Sequence, residues 1–225
     1  MKTSYAYPVD AILLLGPTGA GKSPLGEAFA LNGLFNRQCH HLDFGSELRF
    51  AVSGSSRSAA YTTAELEFIH GVLEQGLLLE NEHFPLARKI ISLFLDLTGF
   101  SRNDLLILNG IPRHRGQARE MASLADVLAL VVLDCSVDDI VYRIRNNVGG
   151  DRTERDDDHT ELIKTKLATF RERTAPLIDH YEHIGRRIYQ LAVSRTMTPA
   201  EAYRRVSVLA AADPPVTFIA EPPQR

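Results

Sequence analysis

Short apolar runs alternate with longer amphipathic segments along the chain. Five such runs, several of them apolar at consecutive positions, cover residues 11–16, 39–45, 104–110, 128–135 and 186–193. Consecutive apolar residues are typical of strands that are covered on both faces. Because helical segments separate the runs, the pattern predicts an α/β fold of βαβα order, with a mostly parallel five-stranded sheet and right-handed crossovers.

Two segments between the strands carry further information. The longest, residues 45–104, reads as several helices and is a candidate for a small substrate-binding insertion. Later in the chain, Asp158 and Glu161 have the spacing of a capping box, which predicts a helix that runs from there through Tyr181. Lys166 falls on the apolar stripe of this helix, where a lysine must extend to solvent or meet an anion.

Composition narrows the class of protein. The chain has 225 residues, is 44% hydrophobic and 24% charged, and carries a net charge of −3. These values predict one α/β domain and argue against a nucleic-acid partner, which would need a basic excess. The opening residues are too polar for a signal peptide and no run reaches membrane-spanning length, so a cytoplasmic monomer without membrane contact is expected. Cys39 and Cys135 are predicted to be buried thiols, and the histidines, which lack metal-ligand spacing, are interpreted as ordinary polar positions.

One motif carries chemistry by itself. GPTGAGKS, from Gly16 to Ser23, follows the first apolar run and matches the phosphate-binding loop G-x-x-x-x-G-K-[ST]. Its glycines let backbone N–H groups converge on a phosphate, and the next helix adds its positive end. Lys22 would reach the β and γ phosphates, and the Ser23 hydroxyl would bind Mg²⁺. The residues predicted to bind ATP from this segment are Gly16, Gly19, Ala20, Gly21, Lys22, Ser23 and Pro24.

Pro24 is an unusual residue at the start of the helix that follows the loop. A proline is tolerated in a first helical turn, because its missing N–H has no intrahelical partner there. It removes one donor that a phosphate could use, at an expected cost of about 1 kcal/mol in nucleotide binding. An impaired but usable loop is therefore expected.

Further segments resemble the adenylate kinases and related nucleoside monophosphate kinases, in the order found in that family. They are LDFGSELR, EQGLLLENE, NGIPRHRGQA, YRIRNN, ERDDD and RERTAPLIDHY, and with the loop they cover roughly residues 10–205. The resemblance implies a P-loop three-layer fold in a single domain over residues 1–225, with a helical acceptor-binding insertion at 46–103. It also implies a short lid at 146–157, which has Gly149 and Gly150 as hinges and no cysteine cluster for structural zinc. The tail, residues 211–225, is expected to be extended.

The resemblance also implies an activity and roles for individual residues. The activity is transfer of the ATP γ-phosphoryl group to a nucleoside monophosphate, with AMP favoured and with ATP and Mg²⁺ as cofactors. Arg143 would pack on the donor nucleotide, Gln117 would read the acceptor base, and Ser23 with Asn109 would hold hydrated Mg²⁺. The residues implied to act on the transferring phosphate are Lys22, Arg113 and Arg155. The residues implied to bind the acceptor are Phe44, Gly45, Arg49, Leu79, Gly110, Arg113, Gln117 and Lys166.

Several positions depart from the family's pattern. Asn109 and Ser46 stand where the family has aspartates, and Phe44 stands where a hydroxyl residue is usual. Asn147 and Lys166 take the places of two arginines. Together with the proline after the loop, these changes indicate an atypical member, in which the loss of a carboxylate at position 109 weakens the dependence on Mg²⁺.

Two alternatives stay open from the sequence. A P-loop kinase that phosphorylates a hydroxyl group would need a carboxylate near the acceptor, and Asp43, at the end of the second apolar run, is the candidate. Its other interpretation is a strand-end residue that makes local hydrogen bonds. The departures at the active centre are also compatible with a non-catalytic nucleotide-binding or regulatory protein.

Overall fold

A parallel sheet of five strands lies at the centre of the protein. The computed structural model describes residues 8–151 and 160–215. The strands are β1 (Val9–Leu15), β2 (Cys39–Asp43), β3 (Leu105–Asn109), β4 (Ala125–Asp134) and β5 (Arg187–Ala192). Neighbouring strands are parallel and follow the order β2-β3-β1-β4-β5. Each of the five apolar runs therefore overlaps a strand, although β1 and β4 begin two and three residues before their runs, and the predicted three-layer α/β fold is confirmed.

The consecutive apolar residues are explained by a core on each side of the sheet. In β1, Ala11, Leu13 and Leu15 belong to one buried cluster, whereas Ile12 and Leu14 belong to the other. Successive side chains of a strand point to opposite faces, so both faces must be apolar when both are covered. The pattern that predicted buried strands thus has this packing as its physical cause.

Helices cover both faces of the sheet and connect its strands. They are α1 (Lys22–Asn32), α2 (Phe44–Val52), α3 (Thr63–Gln75), α4 (Phe84–Leu97), α5 (Arg115–Met121), α6 (Val137–Arg145), α7 (Thr160–Thr169), α8 (Pro176–His183) and α9 (Pro199–Ala212). Short 3₁₀ turns lie at Ser56–Ala60 and Asn81–His83. Of the helices described, none combines the length and apolar composition needed to cross a membrane.

Helices α2, α3 and α4 occupy the segment predicted as a helical insertion. Helix α3 begins at a capping box between Thr62 and Glu65 and ends at Gly76, whose φ of 62° is the left-handed conformation that glycine adopts readily. Ile69 from α3 and Ile90 from α4 are buried in the core on that side of the sheet. The acceptor-binding role of the insertion stays a prediction.

The long helix predicted from residue 158 to Tyr181 is two helices joined by a π-helical turn. That turn spans Phe170–Thr174, and the Ala175 N–H donates to the Phe170 carbonyl oxygen at 2.8 Å. Pro176 has no N–H for the next helical hydrogen bond, and its ring crowds the preceding turn, so the α-helical ladder widens here. The predicted cap at Asp158 lies outside the described residues.

The two cysteines are buried, as predicted. Burial raises the pKa of the Cys39 thiol to about 12 and that of the Cys135 thiol to about 11. Both groups are therefore inert thiols in the apolar layers of the fold.

Candidate active site

A cavity of about 220 Å³ opens at the carboxyl ends of the strands, where ligands bind in open parallel sheets. The predicted site residues that line it are Gly16, Gly19, Gly21, Lys22, Ser23, Phe44, Gly45, Arg49, Leu79, Asn109, Gly110, Arg113, Gln117, Arg143 and Lys166. Ala20, within the loop, and Pro24, directly after it, are buried. Arg155, in the predicted lid, lies outside the described residues. The fold thus brings residues from distant parts of the sequence into one place.

The phosphate loop has a backbone that only glycine adopts without strain. Gly19 and Gly21 have φ angles of 80° and 99°, and α1 begins directly after Gly21. A Cβ atom at Gly19 would also lie 2.9 Å from the Ile144 side chain. The Lys22 ammonium donates to the carbonyl oxygens of Gly16 and Pro17, at 2.7 and 2.9 Å, and so lies across the loop.

Pro24 lies in the first turn of α1, where the absence of its N–H leaves no intrahelical hydrogen bond unmade. Its ring also contacts the predicted lid. A Cβ atom at Gly149 would lie 2.8 Å from Pro24 Cγ, so glycine permits the close approach between the two segments. The proline therefore packs against the base of the lid in addition to removing a donor from the loop.

Ser23, Asp43 and Asn109 form a polar cluster in the floor of the cavity. The Ser23 hydroxyl donates to Asp43 Oδ2 at 2.5 Å, and the Asn109 amide nitrogen donates to the same oxygen at 3.0 Å and to Ser23 Oγ at 3.1 Å. The Asn109 nitrogen therefore faces Ser23 in this conformation, and the predicted part of Asn109 in holding hydrated Mg²⁺ stays a prediction. Asp43 also accepts from the Ser46 N–H at 3.1 Å and caps α2, so it makes the local hydrogen bond expected of a strand-end residue.

Two residues that were not predicted to belong to the site extend this cluster, and one of them is among the histidines interpreted as ordinary polar positions. His41 Nε2 lies 3.4 Å from the Asn109 amide nitrogen, and His41 Nδ1 lies 3.1 Å from Glu27 Oε1. The hydrogen bond from His41 lowers the pKa of the Glu27 carboxyl. A Cβ atom at Gly26 would come 2.2 Å from the His41 ring, so this glycine makes room for the histidine. The only signal in the sequence is the position of His41 two residues before a strand end.

Arg113 and Arg49 supply positive charge to the other side of the cavity. Arg113 is half-buried, and burial lowers the pKa of its guanidinium. Within the described part of the chain, neither arginine has a carboxylate within ion-pair distance, and Arg49 donates only to Ser46 Oγ, at 2.9 Å. Lys166 lines the same cavity. The guanidinium groups of Arg49 and Arg113, held in a concave site without carboxylate partners among the described residues, suit an anionic ligand.

Gln117 is buried beside Arg113 with its amide bound to the main chain. Its oxygen accepts from the Arg113 N–H at 2.7 Å, and its nitrogen donates to the Leu79 carbonyl oxygen at 2.8 Å. His114 Nε2 lies 3.1 Å from the same oxygen. In this conformation the side chain positions Arg113 and Leu79, and its predicted contact with an acceptor base stays a prediction.

Arg143 connects the loop to the segment that follows β5. Its guanidinium donates to the carbonyl oxygens of Gly19, Ser194 and Met197 at 3.2, 2.9 and 2.8 Å, and burial lowers its pKa. The side chain is thus held beside the loop, where the predicted donor nucleotide would lie. Asn147 follows α6, the helix that carries Arg143. Its φ of 45° lies in the left-handed region, where asparagine is better tolerated than arginine.

Comparison with known proteins places this site in a family. The chain is 31% identical over 180 residues to an adenylate kinase of Synechococcus sp. (strain RCC307), covering 77% of this chain and 85% of that protein. It is 30% identical over 204 residues to an adenylate kinase of Deinococcus radiodurans, covering 87% of this chain and 93% of that one. No family model matches the chain.

Solved structures agree on the fold. The structure of a sugar kinase from Janibacter sp. HTCC2649 superposes with a TM-score of 0.50 at 13% identity, over 92% of this chain and 97% of that one. Identity at this level shows the shared architecture alone. The two adenylate kinases are similar over most of their length, and the phosphate loop lies at the centre of the site. The chain therefore belongs to the adenylate kinase family of P-loop kinases.

Proposed function

We propose that this protein transfers the γ-phosphoryl group of ATP to a nucleoside monophosphate, with AMP the favoured acceptor. The observation that carries the proposal is the half-buried guanidinium of Arg113, which faces the cavity without a carboxylate partner in the described structure. Burying an unpaired cation costs free energy unless a ligand anion compensates it. Arg49, on the same cavity wall, extends the positive surface that an acceptor phosphate would occupy.

The residues at the loop fit ATP with Mg²⁺, whose use the family implies. Gly19 and Gly21 have positive φ angles, and a Cβ atom at Gly19 would lie 2.9 Å from the Ile144 side chain, so the loop needs glycine at these positions to turn its N–H groups toward a phosphate. The Ser23 hydroxyl and the Asp43 carboxylate are oxygen donors of the kind that Mg²⁺ prefers. When bound, Mg²⁺ neutralises charge on the phosphates.

For this transfer the protein needs mainly to position the two nucleotides and to neutralise the negative charge of their phosphates. A monophosphate is already an anionic nucleophile at neutral pH, so no general base is needed. Lys22 would bind the donor phosphates, and Arg113 and Arg49 would bind the acceptor phosphate, each by charge-assisted hydrogen bonds. Lys166, from the cavity wall, and Arg155, from the predicted lid, would add charge as the lid closes and excludes water.

One observation favours a second candidate, the transfer of phosphate to a hydroxyl group. Asp43 lines the cavity and would be the carboxylate base for such an acceptor. Its Oδ2 atom, however, already accepts hydrogen bonds from Ser23 and Asn109. Oδ2 is thus already engaged by two donors, whereas a monophosphate needs no base, so we favour the monophosphate as the acceptor.

A coupled assay of ADP release distinguishes the two acceptors. ATP and Mg²⁺ would be supplied with AMP, GMP, CMP, UMP or dTMP, and in parallel with sugar acids and simple alcohols. Turnover with monophosphates alone is expected, fastest with AMP. Turnover with hydroxyl acceptors alone would replace the proposal with the second candidate. No turnover with any acceptor, while ATP still binds by calorimetry, would indicate a nucleotide-binding protein without kinase activity.

A further inference from the structure

The two oxygen atoms of Asp43 have different partners. Oδ1 accepts from the Ser46 N–H and caps α2, whereas Oδ2 accepts from the Ser23 hydroxyl at 2.5 Å. One end of the carboxylate is thus fixed by the helix, and the other lies against the hydroxyl through which a phosphate loop binds Mg²⁺. The negative charge of Asp43 is therefore held at the metal-binding end of the loop.

Asn109, at the end of β3, directs its amide nitrogen toward Ser23 and Asp43. His41 Nδ1 lies 3.1 Å from Glu27 Oε1, and a neutral histidine that donates there accepts at Nε2. The Asn109 amide nitrogen lies 3.4 Å from that Nε2 atom, 3.1 Å from Ser23 Oγ and 3.0 Å from Asp43 Oδ2. Three acceptors thus surround the nitrogen. An amide nitrogen has no lone pair for a cation or for the hydrogen atoms of its water shell.

We propose that Asp43, at the end of β2, supplies the carboxylate that anchors the Mg²⁺ of bound ATP beside Ser23, and that Asn109 positions this carboxylate. The metal site then keeps a carboxylate although position 109 is asparagine, because Asp43 supplies it from the neighbouring strand. His41 and Glu27 are positioning residues, since they act on the metal only by orienting the Asn109 amide. The inference rests on the use of ATP and Mg²⁺, and not on the identity of the acceptor.

Asp43→Asn tests the proposal without removing the helix cap, because asparagine caps helices about as well as aspartate. Mn²⁺ replaces Mg²⁺ as the probe, and electron paramagnetic resonance measures its affinity for the ATP complex. Calorimetry measures ATP affinity in EDTA. We expect the Mn²⁺ affinity to fall by about 10- to 100-fold, as for other changes that support a metal site. ATP affinity in EDTA should stay the same or rise, because a negative charge beside the phosphates is gone.

A purely structural role for Asp43 gives a different result. Loss of ATP affinity in EDTA in parallel with loss of Mn²⁺ affinity would overturn the proposal, as would an Mn²⁺ affinity within about twofold of the wild type. Since no acceptor is present, failure here is distinct from failure in the acceptor assay.

Two further variants sharpen the result. Asp43→Asn combined with Asn109→Asp returns a carboxylate to the cluster, and recovery of Mn²⁺ affinity is expected. If the double variant binds Mn²⁺ as weakly as Asp43→Asn does, the proposal that a carboxylate at either strand end can serve the metal is overturned. Asp126→Asn is the matched control, because Asp126 pairs with Arg186 near the start of β4, at the opposite edge of the sheet. An equal loss of Mn²⁺ affinity in that control would also overturn the proposal.

Discussion

At the scale of single residues, Arg113 holds a positive charge in surroundings that disfavour it. Its guanidinium is desolvated and, within the described structure, has no carboxylate partner. A cation in such surroundings does not stabilise the free protein. Its N–H and carbonyl are nevertheless tied to Gln117 and Thr174, so the residue is held in place before any ligand arrives.

Arg113→Ala should therefore affect activity and stability in opposite directions. We expect kcat/KM for the monophosphate to fall at least about tenfold, because a charged hydrogen-bond donor is lost. The melting temperature of the free protein should stay the same or rise. Kinetics and thermal unfolding measure the two effects, with Arg119→Ala as the control, because Arg119 is exposed on α5, the helix that follows Arg113. A lower melting temperature with unchanged kinetics would show that Arg113 is structural.

Gly26 lies in α1 against the His41 ring, and the effect of an alanine there on stability is a second prediction for a single residue. Glycine to alanine inside a helix normally stabilises by about 1 kcal/mol. At Gly26 the new Cβ would come 2.2 Å from the His41 ring, so Gly26→Ala should instead destabilise, by about 1–3 kcal/mol. At Gly71 in α3 the nearest such atom is 3.8 Å away, and Gly71→Ala should stabilise. Urea unfolding of both variants measures the difference, and the same sign in both would refute the steric argument.

The residues of the phosphate loop could be predicted from the sequence, but the contacts among the other residues of the site could not. The difference lies in how far apart along the chain the contacting residues are. The loop from Gly16 to Ser23 is a contiguous motif, so its residues and their order suffice to identify it. The contact between Ser23 and Asp43 joins residues 20 apart, and that between Asn109 and His41 joins residues 68 apart. Such contacts depend on the order of β2, β3 and β1 in the sheet and on side-chain directions, which no local pattern contains.

At the scale of elements, the π-helical turn Phe170–Thr174 contacts two segments beside the cavity. Thr174 in this turn donates to the Arg113 carbonyl oxygen at 3.0 Å, and Arg173 makes two hydrogen bonds to Glu80, before α4. The sequence predicted one long helix here because the apolar stripe continues across Pro176. The apolar periodicity correctly predicted helix on both sides of the π-helical turn. It did not predict the turn itself, which arises because Pro176 has no N–H for the α-helical hydrogen bond.

The ion pair between Glu80 and Arg173 predicts a pH dependence. The guanidinium lowers the pKa of the Glu80 carboxyl below its ordinary value of 4.5. A depressed carboxyl pKa stabilises the folded state above the unfolded pKa, and this contribution disappears as the pH falls through the folded value. Glu80→Gln should therefore lower the melting temperature slightly at pH 7, since both partners are partly exposed. The difference from wild type should shrink as the pH falls below 4.5.

Thermal unfolding of both proteins across this pH range measures the effect. Glu82→Gln, in the 3₁₀ turn that follows Glu80, is the matched control and should show no such trend. A constant difference between wild type and Glu80→Gln at all pH values would exclude the ion pair as its cause.

At the scale of the whole molecule, the sheet determines where ligands can bind. All five strands are parallel, so their carboxyl ends meet at one edge, and loops from several of them converge on the cavity. This much could be predicted from the sequence, because both the buried-strand pattern and the loop after β1 are local features. The contacts that close the cavity could not, since they involve helices that are adjacent only in the folded protein.

Ligand binding should be visible in the stability of the whole protein. ATP with Mg²⁺ at about 100 times its Kd should stabilise the wild type by about 2.7 kcal/mol, because only the folded state has the loop. Lys22→Ala should keep its circular dichroism spectrum but show little or no rise in melting temperature with ATP. Its own stability should fall by about 1 kcal/mol, since the ammonium bonds two loop carbonyl oxygens. A full ATP-induced shift in this variant would contradict the assigned site.

The hydrogen bonds of Arg143 have a consequence for synthesis on the ribosome. Its guanidinium bonds Gly19 in the loop and also Ser194 and Met197, which follow the last strand. A growing chain therefore contains the whole phosphate motif long before it contains the carbonyl groups that orient this arginine. The nucleotide site can reach its final form only when residue 197 has left the exit tunnel, so a nascent chain that stalls earlier carries the motif without the finished site.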